Sequence, residues 1–138
     1  TPLLGMCLGM QLLAEEGDEF GPTVGLGLLP GRVIRIEAGG SDLRLPHVGW
    51  NDVRPCGESR MLAGLPALST FYFVHSYAYS TPDADYVAGV TDYGGTQVAL
   101  VEKGNIFGAQ FHPEKSQKHG MQLLRNFVAV APAEPPRC

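Results

Sequence analysis

Leu3-Leu4-Gly5-Met6-Cys7-Leu8-Gly9-Met10-Gln11 is the stretch on which the fold turns. Leu3 to Met6 reads as the end of a buried strand. Leu8, Leu12 and Leu13 then recur at helical spacing, which predicts a helix from Leu8 to Glu16. A Cys with Gly two residues to either side, between a strand and a helix, has the form of a nucleophile elbow. Such a residue sits in a strained backbone conformation, so its close neighbours must lack side chains, and Gly5 and Gly9 meet that need. The position is also a helix N-terminus. Free N–H groups and the helix dipole favour a thiolate there, and the thiol pKa is expected to fall. The Leu8 N–H is placed to donate into an oxyanion hole. Taken alone, the motif fits a buried structural Cys in a Gly-rich turn equally well.

A nucleophilic Cys needs a base, and the base needs an orienting group. Phe111-His112-Pro113-Glu114 offers both. His112 closes a strand-like run, Ile106 to Phe111, and Glu114 follows two residues later. Its carboxylate can hold the imidazole tautomer and stabilise the imidazolium. On its own this pair also fits a surface His beside a helix-capping Glu. The elbow and the His-Pro-Glu segment together favour catalysis over either bland reading.

The middle of the chain is rich in strands. Gly17 to Leu29 reads as loop, and Arg32 to Ile36 as a half-buried strand. Gly39 to Asp42 reads as a turn, and Leu43 to Val53 as two short strands around Pro46 and Gly49. Arg60 to Leu65 has room for one helical turn. Phe71 to Tyr77 is an aromatic-rich strand. Tyr86–Thr91 and Val98–Glu102 are two more, joined through Asp92-Tyr93-Gly94-Gly95. Lys103-Gly104-Asn105 signals a tight hairpin. A last helix is predicted over about Gln117 to Val130. The expected organisation is one α/β domain over 1–130 with an antiparallel strand insertion, then a Pro-rich tail over 131–138.

Composition removes several function classes. Net charge is −4 with no block of Lys and Arg, which argues against nucleic acid as a partner. Three Cys, at 7, 56 and 138, make neither a disulfide framework nor a zinc spacing, so a reduced, cytoplasmic setting is expected. No apolar run reaches the about 18 residues of a membrane span. No metal or cofactor is expected. His75 reads as a satisfied core histidine, Trp50 as a core residue.

Gly5 to Gln11 and Gln110 to Glu114 resemble the two signatures of class I (triad) glutamine amidotransferases. Pro46-His47-Val48-Gly49-Trp50-Asn51, Tyr72-Phe73-Val74-His75-Ser76-Tyr77 and the run from Gly104 to Gln117 resemble most specifically the glutaminase subunits of imidazole glycerol phosphate synthases. The resemblance covers about residues 1–128. It implies a flavodoxin-like sheet with an antiparallel insertion. It implies that Cys7 attacks the amide of glutamine, His112 is the base and Glu114 orients it. It also implies that Leu8, Gln11, Ser76 and Tyr77 bind the substrate. Gln11 stands one helical turn after Cys7, on the same face. The implied partner is a separate (β/α)8-barrel cyclase subunit, in a heterodimer, which receives the ammonia. Lys115 and Gln117 fall on the surface that faces that partner.

The family places further strands and helices before the elbow, among them a Gly-rich loop with a second oxyanion donor. The native chain is therefore expected to be longer. Without that donor, activity is expected to be low, since one lost oxyanion contact costs about 2.7–4 kcal/mol. The competing readings are an amidotransferase feeding another synthase, such as anthranilate synthase, and a truncated cyclase-binding module without activity. An unrelated Cys hydrolase is the third.

Overall fold

The computed structural model describes residues 1–37 and 43–130. The expected turn at Gly39–Asp42, the Pro-rich tail and Cys138 lie outside the described residues. Strand β1 (Leu3–Met6) leads through Cys7 into α1 (Leu8–Gln11). Short strands β2 (Glu16–Gly17), β3 (Thr23–Val24) and β4 (Arg32–Arg35) follow, then β5 (His47–Pro55), β6 (Ser69–His75) and β7 (Tyr77–Ser80). The chain continues through β8 (Val87–Asp92), β9 (Thr96–Lys103) and β10 (Ile106–Ala109) to α2 (Gln117–Val130). They form a six-stranded sheet, β1-β10-β9-β8-β5-β6, and a four-stranded one, β3-β2-β4-β7. The result is a mixed α/β fold in which β1 and β10 run parallel while β10, β9, β8, β5 and β6 are antiparallel in turn.

The strand periodicity explains the larger core. On β6, Ser69, Phe71, Phe73 and His75 are buried, and the residues between them are half-buried, as a period of two requires. Phe71 stacks on Phe111 at 4.0 Å between ring centroids, and Phe73 meets the same ring edge-on at 5.7 Å. Phe107, Leu100, Met61 and Leu123 of α2 complete this cluster without solvent exposure. A fully buried side chain of this size stabilises the fold by about 1.5–3 kcal/mol. A second cluster joins Met10, Leu13, Ala14, Leu29, Val33, Tyr79 and Val101 between the elbow helix and the small sheet.

Four expectations need correction. The helix after Cys7 stops at Gln11 rather than Glu16. The carbonyls that would continue it are taken instead by residues 25–29: Leu26 N–H donates to Leu12 O, Leu29 to Leu13, Gly27 to Ala14 and Gly25 to Glu15, at 2.8–3.0 Å. A Cβ at Gly25 would collide with the Ala14 carbonyl, so this segment can lie so close only because residue 25 is Gly. The expected pair of strands around Gly49 is a single strand, β5, which Gly49 enters at φ 127°. The strand expected over Phe71–Tyr77 breaks at Ser76, with β6 entering the large sheet and β7 the small one. Arg60–Leu65 forms turns, closed by Leu62 N–H to Ser59 O and Leu65 N–H to Leu62 O, and not a helix. Among the described residues no helix is long and apolar enough to cross a membrane.

Candidate active site at the end of the parallel strand pair

The parallel register pairs Leu3 with Ile106 through Met6 with Ala109, so β1 and β10 end together. The Cys7 N–H donates to Ala109 O at 2.7 Å and ties the elbow to that end. Cys7 itself has φ 53° and ψ −109°, a conformation costly for a residue with a side chain. A Cβ on Gly5 would stand 2.5 Å from the Gly9 carbonyl oxygen, which explains why residue 5 is Gly. Position 9 is different: a Cβ there would meet nothing within 4 Å, so the expected steric need for Gly9 is not found.

Burial pushes the Cys7 thiol pKa up, the Leu8 N–H hydrogen bond opposes this, and Glu114 adds to the rise. The expected lowering is thus overturned, and the reason is structural. Helix α1 is a single turn of four residues, too short to gather much dipole, while the half-buried thiol has lost water. The sulfur lies 3.8 Å from the Val74 carbonyl.

His112 leaves β10 three residues after its end. Its Nδ1 is 2.7 Å from Glu114 Oε1, and their side chains are 22% and 47% exposed. With Nδ1 engaged by the carboxylate, Nε2 is the ring atom left for chemistry. The turn is held by a small hydrogen-bond cycle. His112 N–H donates to Tyr72 O at 2.9 Å, the Ser116 hydroxyl donates to His112 O at 2.6 Å, and Tyr72 N–H donates to Ser116 Oγ at 2.9 Å. Buried Ser116 escaped the sequence reading; its signal was a hydroxyl directly before the last helix. Gly120 in α2 also supports the turn, since a Cβ there would strike the Pro113 carbonyl.

A cavity of about 310 Å³ opens beside the thiol, walled by Cys7, Leu8, Gln11, Pro46, His75, Ser76 and Tyr77, among others. All four expected substrate-binding residues line it. His112 and Glu114 are not among its walls. Gln11 Nε2 donates to Tyr77 O at 3.1 Å and to Gln110 Oε1 at 3.3 Å, leaving Gln11 Oε1 as the acceptor it can offer a ligand. A larger cleft near Arg60 and Glu102 contains none of these residues. Trp50, expected in the core, is half exposed and packs edge-on against Tyr72.

A strained Cys elbow and a His–Glu pair stand at one end of a parallel strand pair in a mixed sheet, and the chain belongs to the class-I glutamine amidotransferase family, whose sequence model matches residues 1–131. Within that family it is 51% identical over 126 residues to the imidazole glycerol phosphate synthase subunit HisH of Desulfitobacterium hafniense, covering 91% of this chain and 58% of that protein. The HisH subunit of Bacillus cereus is 49% identical over 132 residues, 96% of this chain and 61% of the relative. Among solved structures, a candidate GMP synthase protein from Thermoplasma acidophilum superposes with a TM-score of 0.66 at 25% identity, covering 94% of this chain and 56% of that one. The chain thus spans 58–61% of the length of these curated relatives.

Proposed function

We propose that this chain carries the glutaminase chemistry of an imidazole glycerol phosphate synthase, as one domain over 1–130 acting in the cytoplasm. The observation that carries the reading is the strained Cys7 elbow set beside the end of the strand that delivers the His112–Glu114 pair. Glutamine enters the cavity walled by Leu8, Gln11, Ser76 and Tyr77. The Cys7 thiol passes its proton to His112 Nε2 as sulfur adds to the side-chain amide carbon. The oxyanion accepts the Leu8 N–H. His112 then gives that proton to the departing nitrogen, the C–N bond breaks, and ammonia leaves a γ-glutamyl thioester on Cys7. Water, deprotonated by His112, attacks the thioester; glutamate leaves and sulfur regains its proton. Glu114 holds the imidazole in the tautomer that leaves Nε2 free. The ammonia passes to a (β/α)8-barrel cyclase subunit held in a heterodimer, with Lys115 and Gln117 on the surface that meets it.

The test is glutamate release from glutamine, with and without the cyclase and its nucleotide. Activity is expected in the wild-type chain, to rise with the liganded cyclase, and to vanish in Cys7→Ala. Release that survives Cys7→Ala would remove Cys7 from the mechanism.

A further inference from the structure

His47 and His75 are among the few buried polar side chains, 3% and 5% exposed, and the proposed chemistry uses neither. The β5–β6 register sets them directly opposite each other. His47 Nδ1 lies 3.0 Å from His75 Nε2, and His75 Nδ1 lies 2.9 Å from the Tyr77 carbonyl oxygen. Asn51 Nδ2 lies 3.3 Å from His47 Nε2. The His47 ring is stacked between Tyr93, at 3.9 Å, and Phe73, at 4.8 Å.

The direction of every bond in this chain is determined. The Tyr77 carbonyl only accepts, so His75 Nδ1 carries a proton. Burial holds the pKa of His75 down, and burial, then His75, push that of His47 down to about 4; both rings are therefore neutral at pH 7. A neutral ring with its proton on Nδ1 accepts at Nε2, so His47 Nδ1 must be the donor to His75. His47 Nε2 is then an acceptor as well, and it faces an amide N–H of Asn51. That amide is itself oriented: Asn51 Oδ1 accepts from Asp52 N–H at 2.8 Å, and Nδ2 also donates to Asp92 O at 2.9 Å.

The relay ends where the cavity begins. The Tyr77 oxygen that receives the His75 proton also receives Gln11 Nε2. His75, Ser76 and Tyr77 are cavity walls, and Pro46, next to His47, is another. Val74, next to His75, carries the carbonyl beneath the Cys7 sulfur. Ser76 is the break at which the chain passes from one sheet to the other; its carbonyl accepts the Ile36 N–H at 3.0 Å and Tyr77 opens β7 opposite Arg35, while the Tyr77 carbonyl at this corner is held by the His75 and Gln11 side chains. We infer that His75, backed by His47 and Asn51, is a positioning residue: a one-way hydrogen-bond relay fixes the Tyr77 carbonyl, and through it Gln11, in the geometry that receives glutamine. This rests on the glutaminase reading of the site. The relay acts on substrate placement and does not touch the reacting atoms, so its loss raises KM more than it lowers kcat.

The experiment has two parts on the full chain. Nitrogen-15 NMR of the wild-type rings at pH 7 is expected to show both His47 and His75 neutral with the proton on Nδ1; a proton on Nε2 of either ring overturns the relay. In parallel, His75→Leu is expected to raise KM for glutamine about tenfold, the value of one lost hydrogen bond, with a smaller change in kcat. His75→Asn, whose Nδ2 can replace Nδ1 as donor to Tyr77, is expected to recover most of that loss. A folded His75→Leu with wild-type KM overturns the inference, as does a His75→Asn no better than His75→Leu. A wild-type chain that releases no glutamate would instead sink the glutaminase reading. The Gln11 side-chain amide signals then decide: if His75→Leu leaves them unmoved, the relay does not position Gln11.

Discussion

Cys7 shows two opposing effects of burial at a single residue. The elbow removes the thiol from water, which raises its pKa, and supplies one backbone N–H, which lowers it; desolvation is the larger. The resting thiol is therefore protonated at neutral pH, and in the proposed reaction a thiolate forms only as His112 takes the proton. In the free chain, alkylation of Cys7 by iodoacetamide is expected to rise with pH to a midpoint above the ordinary thiol value of 9.0, because the thiolate is the reacting form. Exposed Cys56 serves as an internal comparison in the same peptide map. A Cys7 midpoint near neutrality would show that the elbow's N–H groups outweigh its burial. The two glycines of the motif separate in the same way. Their spacing suggested equal roles, and only the structure shows that Gly5 faces backbone while Gly9 faces open space.

At the scale of elements, Gly5→Ala forces a Cβ against the backbone of Gly9 and Met10, at 2.5–2.8 Å, and so drives β1 away from α1. It is expected to cost about 1–3 kcal/mol in urea denaturation, as overpacking does, whereas Gly9→Ala should stay within about 1 kcal/mol of wild type. Equal effects at the two positions would contradict the packing described. The elements that sequence reading placed well are those whose signals are local. The aromatic run of β6, the hairpin at Gly104 and the extent of α2 each fit in one window, although Met121 and Val128, expected on the apolar side of α2, are exposed. The geometry of the elbow and of the His-Pro-Glu turn was legible for the same reason, since each is set by a few adjacent residues. What was missed depends on distant partners. The helix after Cys7 is cut short by hydrogen bonds from residues 25–29, and the break at Ser76 follows from β6 and β7 joining different sheets. The pairing of His47 with His75 needs the β5–β6 register, which neither strand encodes alone.

Across the whole molecule, the cavity lies where the two sheets exchange the chain. Cys7 comes from the edge strand of the large sheet, Tyr77 from β7 of the small one, and Gln11 from the turn of helix that packs between them. His112 reaches the same end because β10 is the parallel neighbour of β1. An arrangement drawn from three parts of the chain serves one purpose in the proposed reaction: holding an acyl group on sulfur long enough for water to replace ammonia. The most direct measurement is therefore mass spectrometry of the Cys7 peptide after acid quenching of the chain during turnover with glutamine. A mass increase equal to one glutamyl group on Cys7, absent with glutamate and absent in Cys7→Ala, is the predicted result. Release of glutamate with no such adduct on Cys7, or with the adduct on another residue, would contradict a thiol nucleophile at this elbow.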